Sequence, residues 1–250
     1  MTLAPDIQMT CVVAAKGGIG QSAISLDWAR AIGRQGKRCL LLELSGGDLA
    51  WQVGATPAHF VENVADGSTG INDAVVRIEE HVSLLASGNG WGIHGPDAIG
   101  DVKSLFERLR EGKWDHVVID LGTVSRVVAE FVLTTADRRA ILLQDDIACV
   151  ARTYALLRRF GAGVLADHTS LVFNRIDNST DAESLHERFS QLTSQFLNRT
   201  WPVLGTVPEG GSDQRVQAIA MWDSADVPKP EKKNASIAGA ISNRPSWADN

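Results

Sequence analysis

The sequence predicts an α/β fold, a mostly parallel sheet flanked by helices on both faces. Three observations carry this. Short apolar runs at 11–14, 39–44, 116–120, 139–144 and 170–173 alternate with longer stretches of helical periodicity, the order from which β-α-β units are built. The runs lack strict polar alternation, which suits strands buried on both faces of a parallel sheet. The first run breaks into glycines and then opens an amphipathic helix, the strand–turn–helix context of an anion-binding loop.

Composition bounds the rest. The 250 residues suffice for one sizeable domain, here assigned to 1–243 with a short polar tail at 244–250. A net charge of −6 excludes a protein whose whole surface grips nucleic acid, so a nucleic-acid partner is not expected. The three cysteines, Cys11, Cys39 and Cys149, are far apart and odd in number, which reads as small core residues in a reducing compartment, without zinc spacing. No basic-then-apolar leader and no apolar run of spanning length is present, so the expected location is cytoplasmic without direct membrane insertion.

The first element is a strand around Cys11–Ala14, followed by Lys16, Gly17, Gly18, Ile19, Gly20, Gln21, Ser22 and Ala23. Glycines let successive N–H groups point inward, and the helix N-terminus adds partial positive charge, so a nucleotide phosphate is favoured there. Ser22 is the candidate magnesium ligand. Gln21 stands where a phosphate loop usually has lysine, and an additional lysine, Lys16, stands at the front of the loop. Ile24, Trp28, Ala31 and Ile32 then mark one helix face, ending near Gly36.

The pattern Lys-Gly-Gly-x-Gly-x-Ser resembles the deviant Walker A motif of the ParA/MinD family of P-loop ATPases. The resemblance implies ATP or ADP with Mg2+ as ligands and Gly17, Gly18, Gly20, Gln21, Ser22 and Ala23 as the phosphate cradle. It also implies a homodimer in which Lys16 reaches the partner's phosphates. Gln21 can donate a hydrogen bond but brings no charge, which weakens the expected grip on phosphate.

The second strand, Cys39 to Leu44, leads into Glu43-Leu44-Ser45, where the family usually places Asp-x-Asp. Glu43 keeps an acid, whereas Ser45 replaces the carboxylate that would orient water, so slow or absent hydrolysis is expected. Asp48 is a weaker substitute, and a plain polar turn explains the loop as well. Between 50 and 100 the pattern suggests short helices, a strand at Val82–Ala86 and a glycine-rich loop from Ser87 to Gly100 containing Trp91, His94 and Pro96. Val102, Leu105, Phe106 and Leu109 form the next helix face.

His116–Asp120 resembles a Walker B strand, with Asp120 as the second candidate for the magnesium shell, and Leu121-Gly122-Thr123 resembles the switch that follows it. A helix is expected over Val124–Ala136 and a strand over Arg139–Gln144. Asp146 then caps a helix whose apolar face is Ile147, Val150, Tyr154 and Leu157, with Arg152, Arg158 and Arg159 on a solvated side. The strand Ser170–Phe173 ends in Asn174, which by resemblance contacts the adenine. Thr180 and Glu183 fit a capping box, and Leu185, Phe189, Leu192 and Phe196 form the expected buried face. Pro202–Glu209 resembles the family's last strand and Pro-Glu loop, which makes Pro208 a base-side residue. A short helix near 234–242 completes the reading, with no basic amphipathic membrane helix.

Within the superfamily the chain looks closest to the TadZ/CpaE-type pilus, FlhG/FleN-type flagellar and BcsQ-type cellulose-secretion groups. The expected function is a regulator that positions or controls assembly of an envelope-associated machine through its protein components, recruited to the inner membrane or pole by a partner. Two other classes stay open: a working ATPase in which Lys16 replaces the loop lysine, and a nucleotide-free scaffold.

Overall fold

The computed structural model describes residues 7–223, apart from 45, 47, 89–97, 161, 162 and 166. Its centre is an eight-stranded sheet in the order β3-β4-β2-β5-β1-β6-β7-β8. The strands are β1 (Gln8–Ala14), β2 (Cys39–Glu43), β3 (Val76–Glu79), β4 (Val82–Leu85), β5 (His116–Asp120), β6 (Arg138–Leu143), β7 (Thr169–Asn174) and β8 (Val203–Val207). All neighbours pair in parallel except β3 and β4, which are antiparallel. Every residue of β2 and of β5 is buried, as continuous apolar runs require.

The helices are α1 (Gln21–Arg34), α2 (Leu49–Gln52), α3 (Val61–Ala65), α4 (Ile71–Ala74), α5 (Ala98–Leu109), α6 (Arg126–Thr135), α7 (Ile147–Phe160), α8 (Ser179–Leu197) and α9 (Ser212–Asp223). From β1 the chain crosses by α1 to β2, whereas α5 to α8 carry it back in the other direction along the sheet. Right-handed crossovers running in opposite directions lie on opposite faces, so α1 is separated from α5–α8 by the sheet. The final helix packs on α1. The direction of travel reverses around β1 and β5, which opens a crevice beyond their C-terminal ends.

Several local expectations change. The strand β3 is added at the sheet edge, where Val76 and Ile78 alternate with Arg77 and Glu79 before a tight return into β4. The helix α5 begins at Ala98, before the expected face, while Val102, Leu105, Phe106 and Leu109 are buried as read. Trp91, His94 and Pro96 lie outside the described residues, as do the expected helix near 234–242 and the tail at 244–250. In α7 the buried residues are Cys149, Thr153, Leu157 and Phe160, so the buried face is rotated from the expected one and Ile147, two residues before Cys149 and so on the opposite side of the helix, is 90% exposed. In α8 the N-cap is Asn178, whose Oδ1 accepts from Asp181 N at 2.8 Å, rather than Thr180. Phe196 is exposed, while Thr193 is buried and Leu197 packs against the core, so the last turn presents a neighbouring line of residues instead. The helix α9 has no continuous apolar stripe, yet Val216, Ile219 and Trp222 are buried, with Trp222 edge-to-face on Trp28 at 5.6 Å. Gly205 of β8 makes room for that ring: a Cβ there would lie 1.9 Å from Trp222 Nε1.

Candidate functional site

The glycine loop joins β1 to α1 at the crevice. Gly18 and Gly20 adopt φ of 77° and 87°, left-handed values that favour glycine. A Cβ on Gly17 or Gly18 would meet nothing within 4 Å, so the backbone there is open to an approaching group. The loop is anchored from behind: Asn174 Nδ2 donates to Ile19 O at 2.6 Å, and a Cβ on Gly20 would lie 3.1 Å from that nitrogen.

The register places Asp120 of β5 opposite Val12 of β1 and Glu43 of β2, so its carboxylate rises beside the first turn of α1. Gln21 Nε2 donates to Asp120 Oδ1 at 2.6 Å and to Val12 O at 3.2 Å. The Ser22 side chain lies alongside the same carboxylate. Asp120 Oδ2 is buried with no hydrogen-bond partner among the described residues. Burial pushes the Asp120 carboxyl above its ordinary range, against the pull of Ser22, Gln21 and the Gly122 N–H. A buried carboxylate oxygen without a donor, next to a serine hydroxyl, is the donor set that a hard divalent cation takes up.

Lys16 does not point over the glycines. Its ammonium pairs with Asp146, at the start of α7, and that donor holds the Asp146 carboxyl below its usual range. Asp146 Oδ1 also accepts from Ala148 N at 3.0 Å, so the carboxylate both starts the helix and tethers the lysine. The adjacent Asp145 is held by both oxygens on Arg188 of α8, at 2.9 and 3.0 Å.

Glu43 is committed to the backbone. Its Oε1 accepts from Asp48 N at 2.9 Å and Leu49 N at 3.1 Å, and its Oε2 accepts from Ser87 N at 3.2 Å. The side chain is 1% exposed, and burial raises its carboxyl despite those three N–H donors. It therefore fastens the turn after β2 rather than meeting water. Asp48 precedes α2, and Ser45 lies outside the described residues.

Beside the loop, a cleft of about 200 Å3 is lined by Gly20 and Ala23, by Asn174 and Arg175 at the end of β7, and by Pro208–Gly210 after β8. That is below the roughly 300–1,000 Å3 of pockets that enclose a whole small ligand. Arg175 has φ of 60°, a conformation that a non-glycine residue keeps only where its surroundings impose it. Its N–H donates to Val207 O at 2.8 Å, and Glu209 N donates to Asp177 Oδ1 at 2.8 Å, which lace the two loops together.

Sequence reasoning missed three residues here. Asp27, fully buried on α1, accepts from Ser212 and Arg215 of α9, and Arg215 itself lines the cleft. The signal was available: at 27, between Ile24, Trp28 and Ala31, an aspartate falls on the buried face and so demands a partner.

No family model matches the sequence. The chain is 22% identical over 238 residues to the antiactivator FleN of Pseudomonas aeruginosa, covering 93% of this chain and 83% of that protein. It is 23% identical over 201 residues to an iron-sulfur cluster carrier protein of Deinococcus radiodurans, covering 77% of this chain and 56% of that one. Among solved structures, the septum site-determining protein MinD complexed with Mg-ADP from Pyrococcus horikoshii superposes with a TM-score of 0.66 at 16% identity, over 91% of this chain and 100% of that one. From the strand order, the glycine loop at the crevice and these likenesses, the chain carries the ParA/MinD-like P-loop ATPase fold.

Proposed function

We propose that the protein is a nucleotide-influenced regulator that positions or controls assembly of an envelope-associated machine, with weak or no ATP hydrolysis. The observation that carries this reading is the hydrogen bond from Gln21 to Asp120 at 2.6 Å. The residue at the loop-lysine position is turned toward the Walker B carboxylate, and the one further loop cation, Lys16, is drawn to Asp146. The open backbone over Gly17 and Gly18, with Gly20, Ser22 and Ala23 behind, still suits the phosphates of ATP or ADP. Ser22 and Asp120 suit Mg2+, which when bound would neutralise phosphate charge. Asn174 and Pro208 bound the space for the base.

The likeness to FleN favours the flagellum as the machine over the pilus or cellulose-secretion alternatives. Exposed Ile147, beside the Lys16–Asp146 pair, and exposed Trp51 on α2 suit a homodimer face or a protein partner. Among the described residues no helix is long and apolar enough to cross a membrane, which fits a cytoplasmic protein brought to the inner membrane or pole by a partner. A cluster-carrying role like that of the second relative is less well supported. The three cysteines are buried in β1, β2 and α7, and burial pushes the Cys11 thiol far up, away from the thiolate a cluster needs.

The test is calorimetric titration of ATP and ADP with magnesium, followed by light scattering. The expected outcome is micromolar binding and nucleotide-dependent dimerisation with little turnover. A robust ATPase rate abolished by Ser22→Ala would overturn the hydrolysis claim and favour a rerouted Lys16. Absence of binding would leave a scaffold.

A further inference from the structure

We infer that Arg215, seated on the buried carboxylate of Asp27, is a positioning residue that fixes the base-side wall of the cleft to the phosphate-loop helix. The inference rests on the nucleotide reading above and adds a residue pair that sets the fit of the base.

Asp27 is 0% exposed and lies on the helix that the glycine loop opens. A carboxylate so placed needs charged or hydrogen-bonding partners. It has three: Arg215 Nε at 2.5 Å on Oδ2, the Ser212 hydroxyl on Oδ1, and Arg30 Nη1 at 3.5 Å on Oδ1. Arg30 also donates to Ser212 Oγ at 3.0 Å and to Glu79 at 2.7 Å. Further along the two helices, Arg34 pairs with Asp213 at 2.6 Å. The helix α9 is thus held to α1 by a polar web as well as by Val216, Ile219 and Trp222.

The guanidinium of Arg215 does a second thing. Its Nη1 donates to Gly210 O at 2.5 Å, so one planar fork grips α1 with one nitrogen and the Pro208–Gly210 wall with another. That wall ends at Gly210 and is followed by Gly211, and a pair of glycines at its end would otherwise give it wide conformational freedom. Its far side is tied by Glu209 N to Asp177 Oδ1. The cleft width is therefore set between two tethers, one from the loop after β7 and one from α1. A lysine at 215 keeps a charge for Asp27, but a single ammonium lacks the rigid fork that serves both acceptors.

The test compares dissociation constants for ADP and for inorganic pyrophosphate, both with magnesium, in the full chain and in Arg215→Lys. A wall that positions the base predicts ADP weakened about tenfold, the scale of one hydrogen bond from a charged group, with pyrophosphate changed by less than about twofold. Equal weakening of both ligands, or no change in either, overturns the inference. A wild-type chain that binds neither ligand overturns the nucleotide reading itself and this inference with it. Where Arg215→Lys lacks a cooperative thermal transition, the double variant Asp27→Asn, Arg215→Met removes the buried charge together with its partner and reads the same ratio.

Discussion

Around the glycine loop two polar side chains are turned to other side chains, Gln21 to Asp120 and Lys16 to Asp146. Around the cleft they reach the backbone: Asn174 holds Ile19 O, Asp177 holds Glu209 N, and Arg215 holds Gly210 O as well as the Asp27 carboxylate. The first region has an open glycine backbone whose neighbouring side chains are turned to one another. The second is a cleft whose walls are tied to the elements around it. On the function proposed above, binding and hydrolysis are separable, because shape survives where the charge that stabilises a transferring phosphoryl group is withdrawn.

Four substitutions break or sharpen that contrast. Asn174→Ala should have the largest effect, because it removes a buried donor to the loop and leaves Ile19 O unpaired. A loss of about 2 kcal/mol in urea unfolding is expected, together with weaker nucleotide binding. An unchanged midpoint would show that the loop holds itself. Asp120→Asn should act in the opposite direction in metal-free buffer. Burial raises the folded-state pKa of Asp120, so its contribution to stability is fully present below the unfolded value of about 3.9 and is lost as pH rises through the folded one. Removing the charge should therefore stabilise the apo chain near neutral pH by about 1 kcal/mol, less toward acid, while abolishing any magnesium-induced shift in melting temperature. If magnesium still raises the melting temperature of the variant, the metal sits elsewhere.

Gln21→Lys restores a cation at the phosphate end and should tighten ADP by up to about tenfold, with turnover still slow because position 45 carries no carboxylate. A large gain in hydrolysis would place the whole defect at position 21. Asp146→Asn should be the mildest, with an unfolding midpoint close to that of the parent chain, since the Lys16–Asp146 pair is more than a third exposed at the aspartate and is screened by solvent. The depressed Asp146 carboxyl contributes its small stabilisation above the unfolded pKa and loses it only as pH falls through the lower folded value. A parent-minus-variant difference in midpoint that stays flat between pH 5 and pH 8 checks this; a difference that moves in that window would show that the pair is coupled to another titrating group.

Strands β1, β2, β5, β6 and β7 were legible because doubly buried strands declare themselves by composition alone. Motif resemblance and order along the chain pick out Gln21, Asp120, Asn174 and Pro208; in the structure Gln21 meets Asp120, and Asn174 and Pro208 line one cleft with Gly20. What was illegible depended on tertiary neighbours. Ile147 and Phe196 fit the expected apolar faces, but the buried faces of their helices follow Cys149, Thr153 and Leu157 and Phe189, Thr193 and Leu197 instead. The helix α9 shows no stripe because an ionic web does part of the holding that a stripe would do. The commitments of Gln21 and Lys16 lie in side-chain directions, which spacing does not encode.

The edge-to-face contact of Trp28 with Trp222 gives the molecule an optical gauge. One indole rides on the helix that begins at the glycine loop, and the other on the helix that carries Arg215. At 5.6 Å the intense far-ultraviolet transitions of two indoles couple, and the coupling changes with their separation and angle. The part of the far-ultraviolet circular dichroism that Trp28→Phe or Trp222→Phe removes therefore reports the spacing of α1 and α9 without a label.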